Sequence, residues 1–130
     1  MPTASLNREK TEVCGGNDSI VIIKDLGDIP GGRTLDVSNV ASGTEVIRAG
    51  HVLKYTADGD IAPLGITAGT PAGYSALGEG ESYAGVLKST IRVADPRAAI
   101  LTMGQVNAAA SPYPVTDSIK AGLPQINFIY

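Results

Sequence analysis

With one histidine, His51, and one cysteine, Cys14, in 130 residues, the chain has few routes to acid–base or nucleophilic chemistry. Any histidine-dependent catalytic site must use His51, yet no nucleophile stands at a base-like spacing from it, and a two- or three-histidine metal site cannot form within one chain. Its neighbours Gly50 and Val52 belong to a strand-like run, so His51 is read as a structural or surface histidine. Cys14 lacks any catalytic signature and reads as an incidental free thiol. Asp58-Gly59-Asp60 has the opening of a calcium loop, but the later ligands and closing glutamate are missing, leaving a turn. Gly78-Glu79-Gly80 and Gly85-Val86-Leu87-Lys88-Ser89-Thr90 hold glycines without the Gly-x-x-x-x-Gly-Lys spacing that cradles phosphate. Asp95-Pro96-Arg97 is a charged corner, and Asn17-Asp18-Ser19 matches a glycosylation sequon by chance. The residue chemistry therefore predicts no enzyme, no cofactor and no metal.

The elements that carry these residues read as strands. Ser19 to Lys24 is a continuous β-branched run expected to be a buried strand, followed by a turn over Gly27–Gly32. Arg33–Val37 alternates, and Gly43–Tyr55 reads as two short strands about an Ala49-Gly50 turn. Tyr55–Leu64 is the clearest local signal, a hairpin whose Asp58-Gly59 pair suits positive φ. Gly65–Gly80, with five glycines and one charge, Glu79, predicts a surface excursion or an interface. Tyr83–Val93 predicts one long strand or two joined at a bulge, ended by Pro96, and Ala98–Met103 predicts another buried strand. After a small-residue loop over 108–113, Pro114–Ala121 predicts a short helix, with Asp117 near its start, Lys120 near its end, and Gly122 and Pro124 as a stop.

Sixteen Gly, eight Pro and no Trp, with Val, Ile, Thr and Ala in short runs, describe a mainly β chain rich in turns. Its length predicts one domain, residues 19–130, preceded by a flexible N-terminal arm over residues 1–18 whose mixed charges and scattered apolar positions cannot offset the entropy of ordering. A net charge of −3 with scattered Lys and Arg argues against a nucleic-acid partner. The longest apolar run, Ile20–Ile23, is broken by Lys24 and Asp25, far short of the roughly 18 residues needed to span a bilayer. No apolar signal region opens the chain, so a soluble, non-secreted protein without membrane contact is expected.

At the other end, Ile126-Asn127-Phe128-Ile129-Tyr130 alternates and is apolar, and it contains the chain's only Phe. Exposing Ile126, Phe128, Ile129 and Tyr130 together would leave an interface-like patch. They are therefore expected in the core or at a subunit interface, the mark of an assembly protein.

The block Glu45–Leu64 followed by Ala76–Val93 resembles the head-decoration proteins of tailed bacteriophages. The similarity lies in the step Gly50-His51-Val52-Leu53, the hairpin ending Pro63-Leu64, and the strand Ala84-Gly85-Val86-Leu87, and it covers about half the chain. It implies a small β-clip-like or β-barrel domain that forms a homotrimer on the exterior of a virion. The major capsid protein lattice is then the partner, and the protein is made in the host cytoplasm. The arm would reach onto the shell, with Leu6, Asn7, Arg8, Thr11 and Val13 as candidate capsid-binding residues, by strand addition to an exposed edge. The Pro-rich loop, helix and final strand go beyond that pattern. The base of a head fibre, or another β-structured interaction protein, is the alternative. A third comes from trimeric dUTPases, which share the architecture: Ala72-Gly73-Tyr74-Ser75 resembles part of their first motif, but Ser75 replaces the acidic residue and the other motifs have no counterpart.

Overall fold

A computed structural model describes residues 19–40, 43–69 and 72–129. The strands in chain order are β1 (Ile22–Asp28), β2 (Arg33–Thr34), β3 (Val46–Ile47), β4 (Val52–Tyr55), β5 (Ile61–Pro63), β6 (Ile66–Thr67), β7 (Gly73–Tyr74), β8 (Ser82–Leu87), β9 (Ile91–Arg92), β10 (Arg97–Ala98), β11 (Ile100–Asn107) and β12 (Ile126–Ile129). A 3-10 turn (Ala108–Ala110) and one helix, α1 (Asp117–Gly122), precede β12. The fold is mainly β with one short C-terminal helix, as composition implied. The arm over 1–18, with Leu6, Asn7, Arg8, Thr11, Val13 and Cys14, lies outside the described residues, as does Tyr130.

Six strands form the main sheet in the order β1-β11-β8-β4-β5, with β12 also on β11. Among the described residues the sheet is open, with β1 and β5 at the ends of the main order and β12 a further strand paired on one side only. The barrel alternative is therefore corrected: no ladder joins those edges. Three two-stranded pairs, β2–β10, β3–β9 and β6–β7, complete the sheets.

Neighbouring residues on the central strands serve two cores, because successive side chains leave a strand on opposite faces. Val52, Val86 and Leu101 join Val21, Leu64, Val106, Ile119, Leu123 and Ile126 on one side. Leu53, Leu87 and Ile100 join Leu35, Ile47, Ile61, Ile91 and Ala98 on the other. Double-sided burial is why these strands read as continuous apolar runs rather than alternating ones. Strands β8 and β11 approach closely at Gly85, where a Cβ would sit 2.4 Å from the Leu101 carbonyl oxygen.

The hairpin from Tyr55 to Leu64 is present. Thr56 and Asp60 close a three-residue loop through Thr56 N–H to the Asp60 carbonyl (2.7 Å), and Gly59 takes φ +90°, the left-handed position such loops require. Helix α1 begins at an N-cap, Thr116, whose hydroxyl accepts from the Ile119 N–H at 3.3 Å. The 83–93 segment is two strands in different sheets, β8 and β9, rather than one. The strands flanking Ala49-Gly50 are both present but pair apart, β3 with β9 and β4 with β5 and β8.

The expected buried strand over Ser19–Lys24 is corrected most. Pairing runs from Ile22 to Asp28 against β11, with register shifts, and of the expected run only Val21 is fully buried. A strand with a partner on one side only keeps part of its apolar surface in water. Ile20, Ile23 and Leu26 are 53%, 43% and 57% exposed.

Candidate functional site

Two places combine chemistry with an unusual environment. The first is the β1 edge. Ile23 and Leu26 are exposed on β1, and opposite Gly27 on β11 stands Met103, itself exposed. The acidic residues of β1 are already committed: Lys88, in the turn after β8, binds Asp25 and also Asp28, the latter at 2.8 Å. That pairing holds the Asp28 carboxyl below its usual range, chiefly by the hydrogen bond from Lys88, and raises Lys88 through Asp25 and then Asp28. Lys88 offsets one of these two negative charges, and β1 presents Ile23 and Leu26 alongside Lys24.

The opposite edge of the sheet is guarded. Strand β5 is three residues long and ends in Pro63, and the Ile61 carbonyl is taken by the Asp36 N–H at 2.8 Å. Short length, proline and a covering segment are the devices by which sheets block further pairing. Strand β1 is seven residues long and, among the described residues, has neither proline nor a covering segment; its guards are the charges of Lys24, Asp25 and Asp28 and the register shifts against β11.

The second place surrounds His51, which is buried. Its Nε2–H donates to the Leu64 carbonyl at 2.9 Å, since a carbonyl can only accept. Its ring lies edge-on to Tyr74 (centroids 5.3 Å) and to Tyr113 (5.8 Å), and the two phenols contact each other at 5.4 Å. Burial pushes the imidazole below its ordinary value, only partly opposed by the Leu64 bond, and burial pushes the Tyr74 phenol up. Among the described residues, the hydrogen-bond and ring contacts of the imidazole are the Leu64 carbonyl and the two phenol rings, which tie β4, β7 and the loop before α1 together. Tyr74, which the dUTPase comparison singled out, spends its hydroxyl on the β4 backbone, accepting from the Val52 N–H at 3.1 Å.

An open cleft of about 500 Å³ lies between the β1–β2 turn and β10, lined by Asp28, Arg33, Thr34 and Arg97 among others. Arg97 is tied to Asp95 by two 2.9 Å bonds, as expected for a charged corner at Asp95-Pro96-Arg97. Among the described residues, no three His, Cys, Asp or Glu side chains converge as a metal site, and no helix is long and apolar enough to cross a membrane.

At the C-terminus, Ile126 is buried, while Phe128 and Ile129 are half-buried, with Phe128 packed against the core that holds Val106 and Ile119. Strand β12 runs parallel to β11, pairing Ile126 with Gly104 and Phe128 with Val106. The sequence had marked this end and missed the β1 edge. The signal was present as the charged pair Lys24-Asp25, which interrupts an apolar run in a way a strand buried on both faces rarely tolerates.

No protein-family profile, no curated protein and no solved structure matches the chain.

Proposed function

We propose that this protein is a structural component of a virion, a capsid decoration protein that binds the outside of a phage head as a homotrimer and stabilises the shell without catalysis. The observation that carries the reading is the apolar surface of Ile23 and Leu26 left exposed on the edge strand β1, with exposed Ile20 just before it, while the β5 edge is blocked. A long apolar edge left open in a protein that persists in solution is normally covered in the working assembly. Residues 1–18 lead directly into this strand, which places the candidate arm residues Leu6, Asn7, Arg8, Thr11 and Val13 next to it in sequence. The commitment of His51 and Tyr74 to backbone partners also favours a binding role over a hydrolytic one.

Three copies would present three arms and three edges to a symmetric lattice. Once one engages, the others bind at high effective concentration. Binding only to the assembled lattice shifts equilibrium toward it.

Sedimentation velocity at micromolar concentration, followed by co-pelleting with empty heads built from the capsid protein of the same genome, tests the reading. A trimer that saturates the heads is expected. A monomer that stays in the supernatant overturns it.

A further inference from the structure

We propose that His51 is a pH-sensitive clasp: neutral, it locks the β6–β7 pair onto the main sheet, and a second proton on its ring releases that pair while the sheet stays folded.

The geometry makes His51 the meeting point of both ends of this pair. Its Nε2–H holds the carbonyl of Leu64, two residues before β6 begins, and its ring packs against Tyr74, the last residue of β7. Tyr74 in turn holds β4 through the Val52 N–H, and its hydroxyl stands 3.5 Å from the Gly50 carbonyl. Apart from the Leu64–Val52 and Ser75–Gly65 backbone bonds and the two-residue β6–β7 ladder, these are the polar ties between the pair and the sheet among the described residues. Neither strand of the pair adds to the main sheet.

A second proton has no partner in this setting. The titratable groups facing the ring are the phenols of Tyr74, from β7, and Tyr113, from the loop before α1, and both are neutral in the range concerned. The third neighbour is the Leu64 carbonyl, already engaged by Nε2–H. Among the described residues no carboxylate or cation acts on the imidazole, whose main influence is burial. An imidazolium in a nearly dry pocket is costly unless water reaches it. Separating His51 from Tyr74 admits water at the smallest structural cost, because β6 and β7 are short and outside the main ladder. Burial moves this protonation below the ordinary value of a histidine, so acidification from neutral pH is the direction that opens the clasp.

Backbone amide hydrogen exchange at pH 7.5 and 5.0, corrected for intrinsic rates, reads this directly. In the wild-type protein, protection at Thr67, Gly73 and Ser75, whose amides face the partner strand, is expected to fall at least about tenfold relative to amides of β8 and β11 on acidification. In His51→Gln, whose amide still donates to Leu64 but does not titrate, that ratio is expected to stay constant. An unchanged wild-type ratio, or the same fall in the variant, overturns the proposal. Should the variant fold poorly, an NMR titration of the wild-type His51 ring decides. Its midpoint must coincide with the midpoint of β6–β7 opening, and separate midpoints overturn the clasp.

Discussion

The phenol oxygen of Tyr74 accepts the backbone N–H of Val52 at 3.1 Å, so a side chain from a peripheral two-stranded pair completes the hydrogen bonding of a central strand. The bond crosses from β7 to β4 at a point where Val52 is fully buried. Tyr74→Phe keeps the ring contacts with His51 and Tyr113 and removes this acceptor together with the hydroxyl's 3.5 Å donation to the Gly50 carbonyl. An unsatisfied buried N–H costs about 1–3 kcal/mol, so urea denaturation should show a loss of that size. A variant as stable as the wild type would mean that water replaces the phenol.

Stability should fall with acid in two separate windows. The folded His51 is held below the ordinary 6.5 of a histidine, so between those values the unfolded chain binds a proton that the folded one does not. Stability is therefore complete above pH 6.5 and declines as pH drops through that interval. The carboxyls of Asp28, Asp36, Glu81 and Asp95 are also held below their usual values, but their contribution is lost only as pH falls below about 4. The urea midpoint of the wild type should drop between pH 7 and 5, and that of His51→Gln should stay level until the carboxylates titrate.

Leu26→Glu and Ile23→Glu test the β1 edge. Both positions are exposed, so the folded chain should lose no more than about 0.5 kcal/mol, the usual size for surface changes. Trimer formation or head binding should nevertheless weaken by at least about tenfold. Unaltered assembly, by sedimentation and co-pelleting, would remove β1 from the interface.

Gly85→Ala should be among the most damaging single changes in the sheet. The new methyl would meet the Leu101 carbonyl oxygen and also lie 3.0 Å from Ile100 Cγ2, and neither β8 nor β11 can retreat without breaking its ladder. Overpacking of this kind costs about 1–3 kcal/mol or more. Thermal melting should place it well below Tyr74→Phe.

Removing residues 126–130 takes away a buried Ile126 and the partner of β11 at Gly104–Asn107. Full burial of one such side chain contributes about 1.5–3 kcal/mol. A fall in Tm on the order of 10 °C is expected. A truncated chain that melts with the wild type would show β12 to be ornamental.

The local parts of this fold were legible in the sequence because their causes are local. Asp58-Gly59 supplies its own turn, and Asp117, Lys120 and Gly122 outline α1, although the cap belongs to Thr116 and Gly122 lies inside the helix. The Ile126–Ile129 strand was legible from alternation. What stayed hidden depends on residues far apart in the chain. An apolar run such as Ile20–Ile23 looks alike whether it fills a sheet centre or lines an edge. The ring contact of His51 with Tyr74 depends on how the excursion after Leu64 folds back, which spacing alone does not encode. The parallel pairing of β12 likewise required the helix to return the chain in the same direction as β11.

The placement of β11 also governs when the protein can fold. This strand pairs with β1, β8 and β12, so Ile22 waits for Val106 and Val86 waits for Leu101. On the ribosome, β1 and β8 have no β11 to join until residues 100–107 have emerged. Before that, residues 43–92 can form the β5-β4-β8 ladder and the β3–β9 pair. Acquisition of structure is then dominated by distant pairings, which makes it slow for a chain of this size and leaves strand edges open to other molecules while it proceeds.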